Sequence, residues 1–311
     1  MMRWRNDNML LRIGQADAFA ASVEYVKRKE HPELFESVER FDSYQQHPTH
    51  KKLRAGCYSD DTQMSIAVTE ALLESVRLKD ITYLTHEVWA EHFWQAFNRD
   101  PRDGYSRGFQ AILESSMSST HMRQQLIPNS SKNGAAMRSV PFGIFKDPND
   151  CTRYAAAQAA VTHATWGGVN SAASVALMSH FALYDRRDFS SMHQWCCGWN
   201  QAHSNFLDPW KGPVGGKGND PKGLGTGMNT AWAVQTLLMQ ESSLVGIMKR
   251  CIEWGGDTDS VAAIAWGIAS ARYQDEILPE FLERDLEVRG NLKYGPEFLK
   301  DLGRQLMEAY A

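Results

Sequence analysis

Two short segments of the sequence each place paired acids beside a hydroxyl residue, immediately before an apolar stretch rich in small residues. They are YSDDTQMSIAV at 58–68 and GGDTDSVAAIA at 255–265. Mg²⁺ and other hard cations take oxygen ligands of these kinds. Helix N-caps prefer the same residue types, so capping alone explains either segment, whereas two such segments in one chain favour a shared cation site. The predicted ligands are Ser59, Asp60, Asp61, Asp257, Asp259 and Ser260.

A third acidic feature lies near the amino terminus, in the segment LLRIGQADAFAASVEYV. Leu10, Ile13 and Ala20 mark the apolar stripe of a helix. At ~100° per residue, Asp17 and Glu24 project within that stripe. Carboxylates that face a core are costly unless they are paired or bind a metal. Unless this helix end is simply exposed at Glu24, these acids favour the shared cation site over plain capping.

Helical periodicity dominates the chain. Apolar residues recur at three- and four-residue steps through 64–76 and 261–271, and convincing alternating strands are missing, which predicts an all-α protein. No repeat of fixed period occurs, and helical segments of similar composition continue on both sides of every loop, which predicts one domain over residues 1–311. Further helices are predicted over 7–29, 80–98, 104–117, 150–162, 168–184, 188–202, 227–240, 241–252 and 291–309, interrupted by polar or glycine-rich segments at 30–57, 118–148 and 208–229.

Composition excludes several classes of protein. The net charge of −4 and a pI near 6.2 give no electrostatic basis for general nucleic-acid or anionic-membrane binding. Five cysteines with no CxxC pair suit a reducing cytoplasm rather than a disulfide framework. Asp7 and Arg12 interrupt the stretch where a signal peptide needs apolar residues, and the apolar run after Asp259 is too short to span a bilayer. We therefore expect a cytoplasmic protein.

The order of these elements resembles the ADP-ribosylglycohydrolase family. An acidic first helix ending in VE is followed by SDDTQM, NGAAMR, a TH pair and GGDTDS, in order from Leu10 to Tyr273. The resemblance implies an all-α, compact domain of orthogonal helices around a central cleft. It also implies a pair of divalent ions, two Mg²⁺ or Mn²⁺, at the base of that cleft.

The resemblance also implies roles for individual residues. The two acidic motifs become the metal ligands, and Glu24 lies near the scissile ribose carbon, with Glu24 and Asp60 as the catalytic acid/base candidates. Aromatic side chains proposed to stack on adenine are Tyr105, Trp166 and Trp232. The residues expected to bind substrate are Asn133, Gly134, Ala135, Met137, His163 and Tyr105.

The expected activity is Mg²⁺-dependent hydrolysis of the glycosidic bond between ADP-ribose and an acceptor, with an arginine side chain as the leading acceptor. The partner would be an ADP-ribosylated protein or a small ADP-ribosyl conjugate. Hydrolysis at ribose passes through an oxocarbenium-like state that a nearby carboxylate stabilises, and a divalent ion can orient the sugar hydroxyls.

Two alternatives stay open. The first helix carries Gln15, Ala16, Ala20 and Ser22 where the family usually has glycine or proline, so added side chains are expected to crowd a helix contact or the cleft beside Glu24. A catalytically silent ADP-ribose-binding or structural member of the family fits that departure. An all-α diphosphate-cleaving enzyme would need a DDxxD motif, and Met64 at its last position disfavours this reading.

Overall fold

The computed structural model describes residues 4–216 and 218–311. Over these residues the chain forms fourteen α-helices joined by loops and short 3₁₀ turns, and its only β-structure is two isolated bridges. The predicted all-α fold is confirmed. The helices are α1 Met9–Ala20, α2 Pro32–Arg40, α3 Asp60–Leu78, α4 His86–Arg99, α5 Arg107–Ser115, α6 Ser119–Gln125, α7 Pro148–Ala159, α8 Trp166–Tyr184, α9 Met192–Cys197, α10 Thr226–Gln240, α11 Leu244–Trp254, α12 Thr258–Ala269, α13 Phe281–Arg284 and α14 Pro296–Ala309.

The centre of the molecule is made by helices that are buried on all sides. Every residue of α12 is buried, and α1 is buried except at Arg12. These two helices pack closely, because a methyl group built at Gly267 of α12 would lie 2.6 Å from Cγ1 of Ile13 in α1. The all-round apolar character of 261–271 therefore reflects a central core helix rather than a membrane segment. Among the described residues, none of the helices has both the length and the apolarity to cross a bilayer.

Helix α1 is shorter than the predicted 7–29. It passes into a 3₁₀ turn at Ala21–Val23, and Glu24 then leaves the helical conformation with ψ 121°. Tyr25 follows with φ 51°, and its N–H donates to the carbonyl of Gly256 at 2.8 Å. The chain therefore turns towards the start of α12 at the point where periodicity alone predicts two more turns of helix.

Other differences concern short helices in polar surroundings. The segment 188–202 was predicted as one helix, but only α9 is α-helical, flanked by 3₁₀ turns at Phe189–Ser191 and Gln201–Asn205. The segment 30–57 contains α2, and 118–148 contains α6. Helices of six to nine residues carry too few apolar residues for their period to be recognised in the sequence.

A buried ion pair fixes the segment that leads into α3. The side chain of Glu287 is fully buried and accepts a hydrogen bond from Arg102 Nη1 at 2.6 Å. It also accepts from the backbone N–H of Tyr58 at 2.9 Å and from that of Asn291 at 2.9 Å. Arg102 Nη1 donates in turn to the carbonyl of Tyr58. The backbone of Tyr58, the residue before Ser59, is thus held at both its N–H and its C=O.

We predict that Glu287→Ala lowers the free energy of unfolding by about 3–5 kcal/mol, because it leaves buried Arg102 with Asp100 as its remaining ionic partner and removes the acceptor of the Tyr58 and Asn291 N–H groups. Urea denaturation followed by circular dichroism measures the change. Glu297→Ala is the control, because that glutamate forms only an exposed pair with Lys300 and its loss should leave the midpoint unchanged. Equal midpoints for both variants and the wild type would contradict the prediction.

Candidate active site

Three chain segments meet at the base of a cleft of about 760 Å³. They are the residues that follow α1, the first turn of α3 and the first turn of α12. Glu24, Asp60, Asp61, Asp257 and Asp259 all line this cleft. The two acidic motifs, nearly two hundred residues apart in the sequence, are therefore adjacent in the fold.

The first turn of α3 is fixed by a carboxylate from α1. Asp17 is fully buried and accepts hydrogen bonds from the N–H groups of Ser59 at 3.0 Å and Thr62 at 3.1 Å, and from the Thr62 hydroxyl at 2.5 Å. Ser59 is the N-cap of α3, and its Oγ accepts from the N–H of Asp61 at 3.3 Å. Because the helix end is capped by these two residues, Asp60 and Asp61 are left available to the cleft.

The start of α12 is fixed by main-chain contacts with the loop before α10. Asp257 N–H donates to the carbonyl of Val214 at 3.0 Å. Gly256 has φ 81° and its Cα lies against the Val214 backbone, so any side chain at 256 would collide with it. Asp257 occupies the N-cap position of α12, yet its side chain makes no capping hydrogen bond. Its carboxylate instead accepts from the Tyr25 hydroxyl at 3.1 Å.

Glu24 is held from the segment after α2. His47 Nδ1 accepts from the N–H groups of Thr49 at 3.1 Å and His50 at 2.9 Å, which leaves its Nε2–H to donate to the Glu24 carbonyl at 2.9 Å. The ring of His50 stacks on His47 with centroids 4.3 Å apart, and its Nδ1 lies 3.9 Å from Glu24 Oε2. The polar segment 30–57 thus fixes the backbone of Glu24 and faces its carboxylate.

The carboxylates form two overlapping clusters that could hold a metal ion. In one, an oxygen each of Asp17, Asp61 and Asp259 lie within 4.8 Å of one another; in the other, Glu24, Asp257 and Asp259 do so. Asp61 Oδ1 is buried and has no hydrogen-bond partner in the structure. Over residues 4–216 and 218–311 no ion pair is formed by any of the four aspartates of these clusters, which are Asp17, Asp61, Asp257 and Asp259. A buried carboxylate oxygen without a partner is costly, so this donor set suits a hard cation.

Burial and mutual repulsion raise the pKa values of these groups. Burial, followed by the nearby charges of Asp257 and Asp60, raises the pKa of Glu24 to about 8. Burial and Asp17 raise the pKa of Asp60 to about 8, and burial raises that of Asp17 itself to about 6 despite its hydrogen bonds. The pKa values of Asp61 and Asp259 are raised well above their usual range for the same reasons. Without a cation, the cluster retains protons near neutral pH.

The structure brings most of the predicted substrate residues into the cleft wall. Asn133, Gly134, Met137, His163 and Tyr105 line it, as does the predicted ligand Ser260. Two predicted residues lie behind the wall instead of in it. Ala135 is fully buried and offers only its carbonyl to Ser139 and Gln158, and Ser59 is buried beneath Asp61.

The predicted adenine-stacking residues are only partly placed at the cleft. Tyr105 lines it, with its hydroxyl donating to Gln63. Trp232 lies in the core, stacked on Phe206 with centroids 6.0 Å apart, because its apolar ring faces inward from α10. Trp166 is 54% exposed at the start of α8 and does not line the cleft. Phe109, which the sequence did not single out, does line it.

The altered first helix does not narrow the cleft. Ala16 and Ala20 are buried in the core, Gln15 accepts from Arg12 at 2.7 Å, and the Ser22 hydroxyl donates to the carbonyl of Phe19. None of the four lines the cleft. The expected crowding beside Glu24 is therefore absent from the cleft wall.

Sequence reasoning missed some members of the site. Asp17 was recognised as an acid that faces the core, but it was not included among the predicted metal ligands. The signal that could have placed it at the site was its position within an apolar stripe. Lys132 was also missed; it lines the cleft and supplies positive charge there, and nothing in its spacing indicates that it meets the acidic motifs in space. Arg138 belongs to the NGAAMR motif that carries the family resemblance, and it lies in the same wall as a fully buried cation.

Hydrolysis of a glycosidic bond commonly uses two carboxylates, and this all-α fold brings several together at the base of a cleft where α1, α3 and α12 meet. The fold and the site thus fit an enzyme of the glycohydrolase class. The ADP-ribosylglycohydrolase family model matches residues 13–311. The chain belongs to this family.

Individual relatives agree with that assignment. The chain is 24% identical over 302 residues to ADP-ribosylhydrolase ARH3 of Danio rerio. This alignment covers 81% of this chain and 78% of the relative. It is also 24% identical over 317 residues to an uncharacterised protein of Archaeoglobus fulgidus, covering 97% and 96%. A solved structure described as an ADP-ribosylglycohydrolase-related protein complex superposes with a TM-score of 0.72 at 18% identity, covering 99% of this chain and 98% of that one, and supports the fold.

In metal-free protein we predict that Glu24→Gln equals the wild type in stability at pH 4 and exceeds it at pH 8.5. The raised pKa means that the folded state retains a proton which the unfolded state loses near pH 4.5. The wild type therefore loses stability as pH rises towards 8, by on the order of 1–3 kcal/mol, and the neutral glutamine does not.

Urea denaturation in EDTA at the two pH values measures this difference. The exposed glutamate Glu36 gives the matched control, since Glu36→Gln should follow the wild type at both. A Glu24→Gln variant that is less stable than the wild type at pH 8.5 would contradict the assigned direction of the pKa shift.

Proposed function

We propose that this enzyme is a Mg²⁺-dependent hydrolase of the glycosidic bond that joins ADP-ribose to an acceptor. The observation that carries the proposal is the pair of carboxylate clusters, sharing Asp259, at the base of a cleft whose wall contains the Asn133–Arg138 loop. Similarity to ADP-ribosylhydrolase ARH3 over most of the chain supports the same substrate class.

The residues present fit a divalent cation. All the ligand atoms are oxygens, the charge at the site is strongly negative, and Asp61 Oδ1 has no hydrogen-bond partner within the described part of the chain. Asp60, Asp61, Asp257 and Asp259, with the hydroxyl of Ser260, would hold the two ions, and Asp17 faces the same cluster. When bound, Mg²⁺ supplies orientation of the ribose hydroxyls and polarisation of water.

The protein side chains contribute proton transfer and electrostatic stabilisation. Glu24 and Asp60 line the same cleft, so both carboxylates lie where a general acid or base would act. Either carboxylate can accept the proton of the attacking water, and a negative charge at the base of the cleft stabilises the oxocarbenium-like ribose. His47 and Tyr25 support this role, His47 by fixing the backbone of Glu24 and Tyr25 by holding Asp257.

The carboxylates of the cleft favour a cationic acceptor. Glu24 and Asp257 at its base are half-buried, so a group that enters from solvent can reach them. An arginine side chain carries a delocalised positive charge and five N–H donors that match carboxylates. We therefore propose ADP-ribosyl-arginine as the first substrate to test, ahead of serine- and O-acetyl-linked ADP-ribose.

We predict that Asp61→Asn and Asp259→Asn each weaken Mg²⁺ binding at least tenfold, because each removes a charged ligand from the shared clusters. Titration calorimetry of the EDTA-stripped protein measures the affinity. Asp42→Asn, at an exposed aspartate paired with Arg40, is the control and should bind as the wild type. Failure of the wild type to bind Mg²⁺ or Mn²⁺ would refute the metal site.

We predict that Glu24→Gln and Asp60→Asn lower kcat for ADP-ribose release by about 10²–10⁴-fold, the usual loss of a general acid or base. Release from ADP-ribosyl-arginine in Mg²⁺ is followed by chromatography, with Glu36→Gln as a control of the same chemistry on an exposed surface.

The outcomes of this assay distinguish an active hydrolase with another acceptor from a family member that binds ADP-ribose without cleaving its conjugates. Release from serine- or O-acetyl-linked ADP-ribose, but not from arginine, would keep the activity and change the acceptor. Tight binding of ADP-ribose without release from any of the three conjugates would identify a silent, ligand-binding member.

A further inference from the structure

Arg138 and His163 are joined by a chain of hydrogen bonds in the cleft wall. Arg138 Nη2 donates to Thr162 Oγ1 at 2.8 Å, and Thr162 Oγ1 lies 2.6 Å from His163 Nδ1. All three side chains are buried. Because an arginine has only donors, the Thr162 oxygen must act as the acceptor in the first of these contacts.

The direction of the second hydrogen bond follows from the first. The Thr162 hydroxyl proton has one acceptor within reach among the described residues, namely His163 Nδ1. Were that nitrogen protonated, the hydroxyl proton of Thr162 would be left without any partner in a buried site, at a free-energy cost. His163 Nδ1 therefore accepts, and the ring proton is on Nε2.

The other side of the imidazole faces the cleft. His163 Nε2 has no hydrogen-bond partner among residues 4–216 and 218–311. It lies beside the backbone of Gly134, where an added methyl group would come within 3.2 Å of Nε2 and 2.9 Å of Cε1. Glycine at 134 thus leaves the Nε2 side of the ring uncovered, and Lys132 lines the same wall.

The position of Arg138 is itself strongly fixed. Its Nε donates to Gln158 Oε1 at 2.5 Å, its guanidinium lies 4.2 Å from the ring centroid of Phe93, and the Gln158 amide donates to the carbonyl of Ala135 at 3.0 Å. The bond from Arg138 to Thr162 connects this fixed guanidinium to His163, a histidine of the cleft wall.

We propose that Arg138 and Thr162 are positioning residues that hold His163 as the neutral Nε2–H tautomer, so that the cleft presents a fixed donor to a phosphate oxygen of the ligand. The inference rests on the proposed function for the identity of that ligand. Burial, together with the positive charges of Arg138 and Lys132, lowers the pKa of His163 to about 3, which agrees with a ring that stays neutral. Lys132 adds the positive charge that an anionic oxygen requires.

The test is placed at Thr162, because substitution of the buried Arg138 can prevent folding. Thr162→Val keeps the shape and removes the hydroxyl, and Thr162→Ser keeps the hydroxyl as the matched control. Long-range ¹H–¹⁵N spectra of histidine-labelled protein, with His163 assigned through His163→Gln, report the tautomer without any ligand. We expect the Nε2–H form in the wild type and in Thr162→Ser from pH 5 to pH 8, and a changed or mixed state in Thr162→Val.

Calorimetry with ADP-ribose in Mg²⁺ gives the second readout. We expect Thr162→Val to bind about three- to tenfold more weakly than the wild type, on the scale of one hydrogen bond, and Thr162→Ser to restore the affinity. An Nδ1–H or doubly protonated His163 in the wild type, or unchanged spectra in Thr162→Val, overturns the inference. A wild type with the expected tautomer that does not bind ADP-ribose supports the positioning chain and refutes the proposed ligand.

Discussion

The carboxylate of Asp17 is the contact on which the candidate site depends. It lies in α1 but caps the first turn of α3, so that one buried acid joins two helices and turns Asp60 and Asp61 towards the cleft. Thr258, the first residue of α12, donates its hydroxyl to the carbonyl of Ala20 at 2.9 Å and attaches the second acidic motif to the same helix. The site therefore consists of helix ends arranged around α1, and it is only as rigid as the packing of these three helices.

This arrangement concentrates negative charge that the fold itself does not neutralise. Buried acids usually gain a basic partner, but in the described part of the chain Asp17 is compensated only by hydrogen bonds, and Asp61 retains an oxygen without a partner. The protein therefore maintains a local destabilisation at its centre, offset by an extensive apolar core around α1, α8 and α12. Sites of this kind are where function, rather than stability, determines which residues are buried.

Sequence alone predicted the fold class and the meeting of the two acidic motifs, because long apolar periods and paired acids are strong local signals. It failed where tertiary contacts override periodicity. The end of α1 at Ala20 is set by Tyr25 bonding to Gly256, a residue far along the chain. The burial of Trp232 is decided by the neighbours of α10, such as Phe206. No spacing rule predicts either contact, and the same holds for the buried Arg138 beside Phe93.

The parallel bridge between Val214 and Gly256 attaches the glycine-rich loop to the second acidic motif through main-chain atoms alone. Substitution at position 214 leaves the carbonyl that receives the Asp257 N–H in place, so neither side chain needs to co-vary with the other. Insertion or deletion of a residue next to Val214 would shift that carbonyl out of register. This connection therefore constrains the length of the loop at Val214 rather than the side chain there, and a comparison of gaps rather than of residue types would reveal it.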